Sequence, residues 1–333
     1  MRVLNKKVLI VFSLLLVFTV SLVGCSSNGG SGEDEEQSSG EEKTTYLSIA
    51  TGGTSGTYYP IGGAMAKVIS DDVANTSASA QSTGASVTNT RLISKKEVEL
   101  AILQNDIASY AFKGQNKFED KAVKNMRGIA TLYPEIIQIV VRQGTGIETI
   151  QDLKGQKVAV GAPGSGVEAN AKQILAKFNL TYDDIEEDYL SFSEAASRLK
   201  DKQIDAAFLT AGVPTAAVMD IAATQDIKLL NFTQEQIDDL NSDYPFLTGV
   251  DVPANTYNGQ EEEVRTVALK ATLVALESLD EDLVYNITKS IFENRDQLIE
   301  RHSRAKDIKL ETAQDGMTIP LHPGAQKYFD EVK

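Results

Sequence analysis

The sequence has one cysteine, Cys25, and two histidines, His302 and His322. A lone thiol excludes a disulfide within the chain. Both histidines fall in the last tenth of 333 residues, and no His, Cys and Asp cluster has metal-ligand spacing. No metal and no cofactor is therefore expected. Basic residues are scarce too: 32 Lys and Arg stand against 47 Asp and Glu, a formal charge of −15. Nucleic acid needs a basic face, so the charge argues against that partner.

What is present begins with an export signal. Arg2, Lys6 and Lys7 precede an apolar run, Val8 to Val23, broken only by Ser13, Thr19 and Ser21. The run is short of the roughly 20 residues a spanning helix needs. It is read as a signal peptide over 1–24. Leu22-Val23-Gly24-Cys25 resembles the lipobox of bacterial lipoproteins. That resemblance implies an acylated Cys25 at the mature N-terminus, a membrane partner through the lipid, and an extracytoplasmic, membrane-anchored location. Two or three acyl chains anchor stably where one does not. Without the three basic residues of the signal, 29 basic face 47 acidic residues, a charge of −18. Residues 25–45 are mostly Ser, Gly, Glu and Asp. Such a segment buries too little surface to fold and reads as a flexible tether.

From Tyr46 the chain alternates strand and helix patterns. Strands are expected at Tyr46–Ala50, Ser79–Thr83, Leu100–Leu103, Met126–Leu132 and Ile136–Val141, with helices between them. The pattern restarts at Lys157–Gly161 and runs through Ile204–Phe208 and Ile227–Asn231. After Gln260 the chain reads as helical, from Glu263 to Leu279 and Leu283 to Phe292. This βαβα order implies α/β lobes with parallel strands.

Two glycine-rich turns stand out, Thr51-Gly52-Gly53-Thr54-Ser55-Gly56-Thr57-Tyr58-Tyr59 and Gly161-Ala162-Pro163-Gly164-Ser165-Gly166. Each follows a strand and opens a helix. Ligands of open α/β sheets bind at such strand ends, and helix starts suit carboxylate or phosphate. The second turn has phosphate-loop glycine spacing, but Val167-Glu168 replaces the required Lys-Ser/Thr. Gly-x-Gly-x-x-Gly occurs in neither turn, and Ser165 is in no Gly-x-Ser-x-Gly elbow. A binding protein needs no catalytic groups, so the chain is expected not to be an enzyme. An anchored enzyme or a surface antigen is the alternative.

Ile49 to Gly63, with its paired Tyr58-Tyr59, closely resembles the opening of the TAXI family of solute receptors. Ser82-Thr83-Gly84-Ala85-Ser86-Val87-Thr88-Asn89, Leu103-Gln104-Asn105-Asp106, Gly161–Gly166 and His322-Pro323-Gly324-Ala325 are similar to further family segments, in family order. The family serves tripartite ATP-independent periplasmic (TRAP) transporters. The resemblance implies a type II periplasmic-binding-protein fold, with two α/β lobes, a ligand cleft and hinge strands. Lobe 1 would span 46–131 plus 232–333 and lobe 2 would span 132–231, the chain crossing near 130–136 and 229–252. The solute would be a small organic acid or amino acid, such as glutamate, 2-oxoglutarate or a related dicarboxylate. It would be delivered to a TRAP membrane permease. The resemblance assigns the ligand to Thr54, Ser55, Gly56, Tyr58, Tyr59, Asn89, Gln104, Ser165, Gly166 and Thr210.

Overall fold

The computed structural model describes residues 43–333. The expected signal peptide, Cys25 and nearly all of the tether lie outside the described residues. The chain enters through β1 (Thr45–Ala50), α1 (Tyr58–Asp72), β2 (Thr76–Gln81), α2 (Ser86–Ser94), β3 (Leu100–Gln104) and α3 (Asn105–Lys113). β1 pairs in parallel with β2 and with β3. Every residue of β3 is buried, as befits a parallel strand covered on both faces. α1 lies close against the end of β1: a Cβ on Gly62 would come within 2.5 Å of Thr51 Cγ2. Glycine here sets how near the helix start stands to the strand end.

Met126–Leu132 and Ile136–Val141 are one strand, β4 (Met126–Arg142), where two were expected. Proline has no N–H for a ladder, which normally ends a central strand. Pro134 is tolerated because the pairing shifts beside it, leaving one extra residue on β4 between Thr131 and Pro134.

The second half repeats the plan with β5 (Lys157–Ala159), α4 (Gly166–Lys177), β6 (Glu186–Asp188), α5 (Phe192–Lys200), β7 (Ala206–Ala211), α6 (Ala216–Ala222) and β8 (Ile227–Leu229). β5 pairs in parallel with β6 and β7. Local signals set these helices. Ser191 opens α5 with a capping box: its Oγ accepts from Glu194 N, and Glu194 Oε2 accepts from Ser191 N at 2.8 Å. α7 (Gln234–Asp243) and β9 (Thr248–Val252) follow.

Residues 264–276, expected as helix, form strand β10 (Val264–Leu276). β10 lies between β3 and β4, antiparallel to both. Buried on both sides, it shows no polar–apolar alternation, and its Leu, Ala and Lys content mimics a helix. Its Val264, Thr266, Val267, Thr272 and Val274 are the β-branched residues that fit the pleat. Helices α8 (Glu281–Glu293), α9 (Arg295–Arg301) and α10 (Pro323–Glu331) complete the chain. His322 caps α10, its Nδ1 accepting from Gly324 N at 3.2 Å.

One sheet runs in the order β2-β1-β3-β10-β4-β7-β5-β6, with β8 on β4 and β9 on β10. β4 pairs with β10 through Ile136 and with β7 from Ile136 to Val141, so both long strands serve both halves. The crossing expected near 229–252 is made instead by β10. The buried side chains divide the same way. Leu47, Ile49, Ile61, Ile102, Tyr133, Leu273, Ile287 and Tyr328 share one core. Ile139, Val158, Ile174, Phe208, Phe232 and Leu240 share another. Phe232, Ile237, Leu240 and Leu247 therefore pack with the second half, although 232–333 was assigned to the first lobe. That stretch precedes β10, and only β10 returns the chain. The result is the two-lobed α/β arrangement of a periplasmic-binding-protein fold.

Candidate functional site

The starts of α1, α2 and α4 converge on one cavity of about 90 Å³, lined by residues of both halves. From the first half come Gly56, Thr57, Tyr58, Gly84, Ser86, Gln104 and Glu135. From the second come Ser165, Gly166, Val167, Ser191, Phe192 and Thr210. The first N–H groups of each helix have no partner within the helix and carry its partial positive charge. Ser165 caps α4 by accepting from Glu168 N at 3.1 Å, which leaves its hydroxyl hydrogen for a ligand.

Hydrogen bonds join the halves around the cavity. Gln104 Nε2 donates to Asn170 Oδ1 at 3.0 Å, and Thr210 Oγ1 donates to the same oxygen at 3.3 Å. Asn170 Nδ2 donates to Asp106 Oδ2 at 3.2 Å. Thr88 N donates to Gly164 O at 3.0 Å, and Gly212 N donates to Thr57 Oγ1 at 3.2 Å. Farther out, Lys117 pairs with Glu168 at 2.8 Å. A Cβ on Gly166 would overlap Gln104 Oε1, so any larger residue there would have to displace the Gln104 amide from its present bond.

Glu135, on β4, is 2% exposed and reaches the cavity wall. Tyr58 Oη donates to its Oε2 at 2.6 Å. Burial pushes the Glu135 carboxyl up to about 8, against the lowering effect of the Tyr58 bond. Burial likewise pushes Asp106 up to about 7. Tyr58 is raised by its own burial and then by the nearby Glu135. No Lys, Arg or His stands among the described residues lining the cavity. Arg142, near the family motifs, pairs with Asp205 at 2.7 Å.

Six of the sequence-predicted residues line this cavity: Gly56, Tyr58, Gln104, Ser165, Gly166 and Thr210. Thr54 is exposed, and Ser55 and Tyr59 are half-buried, all outside the lining. Asn89 is buried behind the first turn. Its Nδ2 donates to Thr51 O at 2.6 Å and Ile102 O at 2.7 Å, and its Oδ1 accepts from Thr83 Oγ1 at 2.6 Å. Both of its amide hydrogens are therefore used within the protein, and the side chain helps to hold the turn in place. Glu135, Phe192 and Asn170 escaped the sequence reading, and Ser86 and Asp106 lay in family-like segments without being assigned to the ligand. Glu135 had one signal: a carboxylate inside an apolar run, a placement rare without a purpose.

Among solved structures the chain is similar to a protein from Bordetella bronchiseptica RB50, with TM-score 0.52 and 18% identity over 86% of this chain and 82% of that one. It is also similar to a binding protein component of an ABC phosphonate transporter from Pseudomonas aeruginosa, with TM-score 0.51 and 12% identity over 80% and 81%. A third is a putative L-cystine ABC transporter from Listeria monocytogenes, with TM-score 0.50 and 12% identity over 81% and 98%. Identities this low carry the fold alone. The family model described as NMT1-like matches residues 49–332. The chain belongs to the NMT1-like family.

Proposed function

We propose that this protein is an extracytoplasmic solute receptor that closes on a small organic acid or amino acid and delivers it to a transporter in the membrane. The observation that carries the reading is the cavity itself. The starts of α1, α2, α4 and α5 and both halves of the chain enclose it, joined by two long strands. A carboxylate of the solute would sit on the N–H groups at the starts of α1, α2 and α4. Closure and release would bend the chain where β4 and β10 pass between the lobes. The lipid on Cys25 would keep the receptor beside its transporter, and the segment before β1 would set its reach.

Two transporter types compete. Two of the similar structures carry ABC-transporter names, the L-cystine one as putative. The TRAP assignment rests on the likeness of residues 49–63 and 322–325 to TAXI receptors, and we favour it. Uptake by cells or vesicles holding the receptor and its membrane partner separates them. Uptake driven by an ion gradient without ATP supports TRAP; uptake that needs ATP hydrolysis rejects it. The receptor reading is tested by thermal unfolding against small acids and amino acids. A ligand at one hundred times its Kd adds about 2.7 kcal/mol of stability. No stabilisation by any of them contradicts the reading.

A further inference from the structure

The cavity contains acceptors for a cation as well as donors for an anion. Glu135 receives one protein hydrogen bond, from Tyr58 Oη, and no Lys, Arg or His pairs with it among the described residues. Gln104 is 2% exposed, and its Oε1 is buried with no hydrogen-bond partner. Both side chains line the cavity. A buried acceptor left unmade is costly, so a donor on the solute would be favoured there. A carboxylate placed at the helix starts and an ammonium placed at Glu135 and Gln104 would satisfy both sets. A second carboxylate there would require Glu135 to stay protonated and donate to it, and no lining cation would offset its charge.

Resting on the receptor reading above, we infer that Glu135 and Gln104 receive the ammonium group of the solute, so that the site selects α-amino acids over the corresponding 2-oxo acids. Glu135 must be ionised to pair with ammonium. The titratable groups facing it are Tyr58 on α1, Tyr133 on the same strand and Asp106 on α3, with Arg304 beyond Tyr133. The carboxyl sits at about 8 in the empty site. Amino-acid binding at pH 7 therefore releases a proton, and affinity rises as pH approaches 8.

The test is calorimetric titration of the purified chain with three matched pairs: alanine and pyruvate, leucine and 4-methyl-2-oxopentanoate, glutamate and 2-oxoglutarate. In any pair that binds, the amino acid is expected to bind at least about thirtyfold tighter, releasing a proton in paired buffers of different ionisation heat. Glu135→Gln keeps the shape and is expected to cut amino-acid affinity at least tenfold, leaving the oxo acid within about threefold. An oxo acid binding as well as its amine partner overturns the inference while leaving a receptor in place. Affinity that falls as pH rises also overturns it, because a protonated Glu135 would then be donating to a carboxylate. If none of the six binds, the inference fails. Succinate, an alkanesulfonate and a phosphonate then decide whether the receptor reading fails with it. The wild-type comparison stands even if Glu135→Gln does not fold.

Discussion

Gln104 of the first half and Asn170 of the second meet at 3.0 Å behind the cavity, and Asn170 holds Asp106 with its other end. A single side chain on α4 thus ties β3 and α3 to the second lobe. The bond exists only when the lobes are together, so it contributes to closure and, through closure, to affinity.

Asn170→Ala is expected to weaken solute binding by about tenfold to a hundredfold. It strands the Gln104 amide and the Asp106 carboxyl, at about 1–3 kcal/mol for each buried group left unmade. Calorimetry on the variant measures this, and unchanged affinity would show that the link plays no part in closure.

Gly166→Ala places a methyl where Gln104 Oε1 lies. The lobes are then expected to stop short of closure, with affinity down at least tenfold and the unfolding midpoint of the empty protein little changed. Titration and thermal unfolding together check this. A large fall in the midpoint with normal affinity would make Gly166 a folding requirement only.

Stability is expected to fall with pH. Glu135 and Asp106 sit at about 8 and about 7 in the folded chain, above ordinary carboxyl values near about 4. The folded state therefore holds more protons, and the stability this contributes is full below about pH 4 and lost as pH rises through 7 and 8. Burial lowers His302 and His322, whose effect runs the other way below about pH 6.5. The clean window is thus pH 6.5 to 8.5. Denaturant midpoints of the empty protein should decline across it, and Glu135→Gln or Asp106→Asn should flatten the decline. A rise across that window would contradict the burial argument.

Phe208, 1% exposed on β7, fills the second lobe's core. Phe208→Ala is expected to cost about 3–5 kcal/mol in denaturant unfolding, the range for large-to-small changes in a packed core. A loss below about 1 kcal/mol would mean that core is looser than its burial implies.

How much of this was legible in the sequence follows from range. Both glycine-rich turns were readable because strand end, turn and helix start lie within about ten residues, and Gly56, Tyr58, Ser165 and Gly166 came with them. Gln104 and Thr210 were readable as strand ends. Glu135 and Asn170 carry no local motif, and Asp106 lay in a family-like segment without being assigned a role; they matter because folding brings three distant segments together. β10 was misread because a strand buried on both faces loses the alternation that betrays strands at a surface. Asn89 was found as a polar residue at a helix start, but only the fold shows that its amide hydrogens go to Thr51 O in the first turn and Ile102 O on β3.

Receptor function as proposed requires the lobes to close on a solute held between the starts of α1, α2 and α4. Small-angle scattering of the purified chain, with and without an acid or amino acid that stabilises it thermally, tests this most directly. A smaller radius of gyration is expected with solute, and loss of that compaction in Gly166→Ala. A stabilising solute that leaves the radius unchanged would contradict it.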